Sequence, residues 1–273
     1  MGHGTASLPG PVPPQAATAR IRAILTTVDG MSLRAGPMRP SRLAALGGVV
    51  GPVLFTAAWV AGSLRQAGHP AAGIQLSGLA ADDARDPQIM MAGFVVLGVC
   101  SIGFGIGLGR VIWPRSAGPW LIVVAGAAIV AAGVFRRDHL LLTGPGFTGE
   151  SWHNQVHDVA SGVAYGAMLA APLVLGWRFR KDPDWAAVSR PVLVLALGSA
   201  VALAVFASRV VEPWNGVVQR AAVTLALAAE VVIAARMLTW PRRARGLDPR
   251  LTRKDAGSAV STRQRGSLGR EDR

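Results

Sequence analysis

Residues 88–109 read QIMMAGFVVLGVCSIGFGIGLG, a run without one Asp, Glu, Lys or Arg. Wound as a helix at about 1.5 Å per residue, such a run crosses the roughly 30 Å hydrocarbon core of a bilayer. A soluble protein can bury one helix of this kind, but here the pattern recurs. Charge-free runs also cover Leu43–Leu64, Ser116–Phe135, Val159–Trp177 and Pro191–Ser208. A sixth apolar run, Gly216–Leu238, carries Arg220, Glu230 and Arg236. The sequence therefore predicts an all-α, polytopic membrane protein whose residues 43–238 form a bundle of six transmembrane helices.

The charge distribution gives that bundle an orientation. The chain has 273 residues and a formal net charge of +13, yet only 16% of its residues are charged. Such a high apolar fraction excludes disorder for the bulk of the chain. The single cysteine, Cys100, excludes an intrachain disulfide framework and a cysteine-rich metal site. Of the 28 Lys and Arg residues, 21 fall in the two tails and in the loops after spans two and four. The opposite loops hold Arg65, Arg85, Arg136, Arg137 and Arg209. By the positive-inside rule both termini are expected in the cytoplasm, and the protein in a bacterial inner membrane. Residues 1–42 and 239–273 are basic and rich in small and polar residues, and they read as disordered tails. Residues 1–30 lack the contiguous apolar core of a signal peptide, and Met31 or Met38 is a candidate start. The tails are expected to attract anionic lipid headgroups. Without aromatic residues between their basic ones, they do not read as nucleic-acid binders.

Small residues predict how the spans meet. Gly47 and Gly51, the ladder Gly103, Gly105, Gly107 and Gly109, and the pair Gly162 and Gly166 each give a GxxxG spacing that permits close helix contact. Packing within the bundle is the plainer use of these faces, association of copies the other, and the oligomeric state is left open. Pro52 and Pro172 are expected to kink their spans. Trp113, Trp120, Trp152, Trp177, Trp214 and Trp240 lie at predicted span ends, as membrane-interface anchors do.

The residues with chemistry concentrate on the side opposite the tails. Loop one carries His69, Asp82, Asp83 and Asp86. Loop three begins with Arg136-Arg137-Asp138-His139 and ends with Ser151-Trp152-His153-Asn154-Gln155-Val156-His157-Asp158. With Ser151 as N-cap, His153 and His157 stand four apart on one helix face, with Ser161 one turn deeper and Asp158 beside them. Two such histidines, completed by Asp138 or His139, are a candidate metal site, and zinc is the ion this ligand set would take. The plain alternative is that these groups cap helix ends. In span six, Arg220 is expected to reach the outer surface or to pair with Asp158 or Glu212. Arg236 is expected to reach the inner surface. Glu230 lies deeper without a basic partner one turn away, as a candidate proton-relay carboxylate or a neutral hydrogen-bonding one.

The stretch Gly47-Gly48-Val49-Val50-Gly51-Pro52-Val53-Leu54-Phe55 resembles the opening of a six-span bacterial family, the DUF998 family. Leu76-Ser77-Gly78-Leu79, Gly93-Phe94 with Gly98, Gly133-Val134-Phe135 with Asp138, and the His153/His157 start of span four are similar too. The resemblance covers about residues 43–238. Where the family usually has an aromatic residue near His69-Pro70, this chain reads Ala71-Ala72-Gly73. The resemblance implies a helical membrane bundle and no assigned reaction. Three classes of function are compatible with these residues: sensing or binding through the outer His/Asp cluster, metal-dependent hydrolysis of a lipid or interfacial substrate, and small-solute transport using Glu230. Whether the chain is an enzyme is not decided by its sequence.

Overall fold

A computed structural model describes residues 40–68, 71–112, 116–141 and 151–239. Of the two tails, residues 1–39 and 240–273, with Trp240, lie outside these residues, as do His69 and Trp113, while residues 40–42, expected in the N-terminal tail, begin the first helix. Among the described residues helix is the one regular secondary structure, with six long helices: α1 (Pro40–Arg65), α2 (Pro87–Val111), α3 (Ala117–Val134), α4 (Trp152–Phe179), α5 (Ala186–Ser208) and α6 (Asn215–Leu238). All six are long and apolar enough to cross a membrane. The protein is thus a multi-pass membrane protein. Each helix packs against the next, and α6 returns to α1, closing a ring.

The helices outrun the charge-free segments that announced them. Helix α4 begins two turns before Val159, because Trp152–Asp158 continue the helix as polar turns. Ser151 starts it by accepting a hydrogen bond from the Asn154 amide at 3.2 Å. Helix α5 begins at Ala186, five residues before Pro191, so this proline lies inside the helix, as Pro52 and Pro172 do in α1 and α4.

Close backbone approach fixes the α2–α3 pair. A Cβ added to Gly98 would lie 2.5 Å from the Gly126 carbonyl oxygen, and one added to Gly126 would lie 2.6 Å from that of Gly98. Only glycine at both positions lets these helices cross so closely. Gly47 and Gly51 pack on Cys100 of α2. Gly103, Gly162 and Gly166 face open space, so these parts of the predicted ladders do not hold the bundle together. Trp120, Trp152, Trp177 and Trp214 are exposed near helix ends, as expected.

The α1–α2, α3–α4 and α5–α6 connections share one end of the ring, here called the cap end. Loop one is folded into the mouth of the bundle. Ile74, Leu76, Leu79, Ala80 and Ala81 are buried, and Ser77–Ala80 form a 3-10 turn. A folded loop within a bundle must find donors for its carbonyls. Arg220 supplies them: its Nη1 donates to the Ala71 and Ile74 carbonyls, both at 2.8 Å, and its Nη2 to Ser63 Oγ at 3.0 Å. Its guanidinium also lies 5.4 Å from the centre of the Trp59 ring. The expected pairing of Arg220 with Asp158 or Glu212 is not what the fold uses. Gln219 completes the seam, accepting from the Leu76 amide and donating to the Tyr165 hydroxyl, each at 2.6 Å.

Candidate functional site

The cap end gathers the residues singled out in the sequence, but it divides them. After α3 the chain turns away at Phe135, leaving the last carbonyls of that helix without helical donors. His157 meets them. Its Nδ1 lies 2.8 Å from both the Ala132 and the Phe135 carbonyl oxygens. Carbonyls only accept, so Nδ1 carries the proton. The ring is 1% exposed and its Nε2 has no hydrogen-bond partner. His157 therefore caps α3 and is not a member of the group that gathers around His153, although only four positions on one helix separate them.

Asp138 and His153 do come together. The Asp138 carboxylate accepts from the Ser151 amide at 2.8 Å and from its hydroxyl at 2.6 Å, while the Asp138 amide donates to Asn154 Oδ1 at 3.1 Å. Burial opposes ionisation here, but the two Ser151 hydrogen bonds and the nearby His153 and His139 outweigh it and hold the Asp138 carboxyl below its ordinary value. His153 Nδ1 lies 3.1 Å from the Arg136 carbonyl oxygen and 3.5 Å from Asp138 Oδ1. The same Nδ1 also lies 3.0 Å from Ser151 Oγ.

The third member comes from loop one. Asp82, Asp138 and His153 each offer a ligand atom, and these atoms all lie within 4.8 Å of one another. Two carboxylates and an imidazole make a three-ligand set suited to zinc or a similar divalent ion, with a further position open to water. Arg136 competes for it, with Nη1 2.9 Å from Asp82 Oδ1.

The other predicted members lie elsewhere. His139 pairs with Asp83 at 3.4 Å, and the second Asp83 oxygen accepts from the Leu140 amide. Asp158 accepts from Asn154 Nδ2 at 3.1 Å and lies 4.0 Å from Arg137 Nε. Ser161, a turn below His157, is outside the Asp82–Asp138–His153 group. Arg137 was read only as a loop charge, yet it is buried and donates to Gln75 Oε1 and Ser77 Oγ. The sole hint in the sequence was its place beside Arg136, where one arginine can face water and the other cannot.

Glu230 occupies the middle of the bundle. Ser101 Oγ donates to its carboxyl at 3.0 Å. Both line a cavity of about 20 Å³ whose other walls, among them Ile122, Ile129, Met168 and Leu175, are apolar. Arg236 donates to the Asp184 carbonyl near the opposite end of the ring.

The sequence pattern of one family, described as a protein of unknown function (DUF998), matches residues 49–236. No curated protein and no solved structure matches the chain. That match takes in α2 to α5 entire, α1 without its first turns and α6 without its last residues, with loop one, Asp82, Asp138 and His153 inside it. The chain belongs to the DUF998 family.

Proposed function

We propose that this protein is a bacterial inner-membrane protein, both termini cytoplasmic, that binds a divalent cation on its outer face in a binding or sensing role. The observation that carries this reading is the group formed by Asp82, Asp138 and His153. Three separate segments supply it, so an ion there would tie loop one to the start of α4. The orientation rests on the concentration of Lys and Arg in the tails and tail-side loops. Zinc is the ion the donors favour, and the open position is water's.

The geometry favours binding over the other two classes. A hydrolase needs an acid or base beside the metal. His139 and Asp83 are engaged with each other, and His157 and Ser161 are not members of the group. A proton-coupled carrier needs access to Glu230 from both sides, and the walls around it are apolar. The basic tails would in addition hold anionic lipid at the inner surface.

The test is zinc loading of the full chain in lipid nanodiscs, measured by elemental analysis after dialysis. One ion per chain is expected in the wild type and none in the Asp138→Asn, His153→Ala double variant. Arg136→Ala, which removes the competing guanidinium, should tighten binding several-fold. Equal or negligible zinc in wild type and double variant would overturn the reading.

A further inference from the structure

A second opening at the cap end is chemically unlike the metal group and independent of it. It measures about 110 Å³ and lies where α5 turns into α6, against loop one and the start of the α3–α4 connection. Arg209 and Glu212 stand on its rim, Gln75 and Asn215 line it, and Leu140 and Leu141 form an apolar side. At roughly 30 Å³ per water, the space suits a molecule of a few non-hydrogen atoms.

Two observations point to a ligand. Asn215 is only 6% exposed, and its Oδ1 has no hydrogen-bond partner. A buried acceptor left unpaired is costly and asks for a donor. Next, Arg209 and Glu212 carry opposite charges at one small opening, yet among the described residues neither forms an ion pair, with the other or elsewhere. The walls are already set. Gln75 Oε1 accepts from Arg137 at 3.3 Å, the Leu140 amide is held by Asp83 at 2.5 Å, and the Val217 amide donates to Ala72 at 3.2 Å.

From this we infer that the opening binds a small zwitterion, its ammonium group toward Glu212 and the Asn215 carbonyl oxygen and its anionic group toward Arg209. A free amino acid and an ethanolamine phospholipid headgroup share that chemistry.

The full chain, in nanodiscs of phosphatidylcholine and phosphatidylglycerol, is titrated with glycine, β-alanine and glycerophosphoethanolamine, with methylamine and acetate as single-charge controls. Zwitterion binding is expected at about 1 mM or tighter, the range open to a few good polar contacts. Binding of glycine or β-alanine assigns the site to a free solute, and binding of glycerophosphoethanolamine alone assigns it to a lipid headgroup. Arg209→Gln and Glu212→Gln change exposed side chains and leave the fold intact, and each should weaken binding about tenfold. Asn215→Leu should do the same where it folds. No binding of any of the three zwitterions at about 10 mM, single-charge controls binding equally well, or rim variants without effect would each overturn the inference.

Discussion

The two ends of the ring are held by different chemistry. At the cap end, polar buried side chains join segments alongside the apolar residues of loop one: Gln66, Arg137, His157, Gln219 and Arg220. At the opposite end, Phe179 stacks on Trp185 with ring centres 4.7 Å apart, both buried among Leu108, Leu175 and Val192. The difference follows from what each end does with its connections. Loop one enters the bundle, and each carbonyl it buries needs a donor that water can no longer supply. The α4–α5 turn folds largely on itself, with Trp185 and Ala186 amides donating to Asp182, so apolar packing dominates there beside two polar ties, Arg236 to the Asp184 carbonyl and Ser189 to the Gly176 carbonyl. A polar end is specific in geometry and intolerant of lost partners. An apolar end tolerates change of shape better than loss of volume.

The strongest way to break that comparison is Arg220→Met. It keeps the length and apolar stem but strips donors from Ala71, Ile74 and Ser63 together. A loss of about 3–5 kcal/mol is expected, the range for breaking a buried charged network. Lysine at this position should restore only part of it, because an ammonium cannot reproduce the guanidinium fork. The unfolding midpoint in mixed detergent micelles reports the loss. If Arg220→Met costs under about 1 kcal/mol, loop one does not depend on polar donors and the contrast between the ends fails.

His157→Ala comes next, at about 1–3 kcal/mol, because it returns the Ala132 and Phe135 carbonyls to an unpaired state. It also separates two roles on one helix. His157→Ala should lower stability while zinc loading per folded chain stays at the wild-type level. His153→Ala should do the reverse. Identical behaviour of the two variants would return His157 to the metal group.

These residues show why the fold was legible in sequence and the site only half so. Six charge-free or nearly charge-free runs define six helices because the hydrocarbon core sets both their length and their composition. Ser151 was legible as a cap because capping is local. The partners of Arg220, His157 and Arg137 were not. They lie 146, 25 and 62 positions away along the chain, at Ile74, Ala132 and Gln75. Helical spacing correctly placed His153 and His157 one turn apart, but spacing cannot tell which ring faces a helix end in need of a donor. Asp82 was visible only as part of an acidic loop, and its approach to Asp138 and His153 depends on the folding of loop one into the bundle. The glycine ladders were read with the same limit. The tight crossing is at Gly98 and Gly126, while Gly162 and Gly166 meet nothing.

A smaller and more symmetrical test compares two serine caps. Ser116 starts α3 at the end opposite the cap and accepts from the Gly118 amide at 3.3 Å. Ser151 starts α4 at the cap end, accepting from Asn154 and also donating to Asp138. Replacing Ser116 by alanine should cost about 0.5–1 kcal/mol, as for an ordinary cap. Ser151→Ala should cost about 2 kcal/mol, because the carboxylate loses a charge-assisted bond as well. Equal costs would mean that Asp138 adds nothing to the cap end.

Asp138→Asn is the mildest of these changes and the one that depends on pH. It keeps the shape and an acceptor for Ser151 but removes the charge, so at neutral pH it should cost under about 1 kcal/mol. The folded carboxyl titrates below its ordinary value of 3.8, through the Ser151 hydrogen bonds and the neighbouring histidines and against its partial burial. A carboxyl depressed on folding stabilises the native state at pH above the unfolded value, and that advantage disappears as pH falls through the folded one. The stability difference between wild type and Asp138→Asn should therefore be present above the ordinary carboxyl value and shrink toward zero as pH falls below 3.8. Ser116→Ala, at the end without a carboxylate partner for its serine, should show the same deficit at every pH. A wild-type advantage that survived at low pH would place the stabilisation in shape and not in charge. The polar end would then differ from the apolar one only in which atoms it packs.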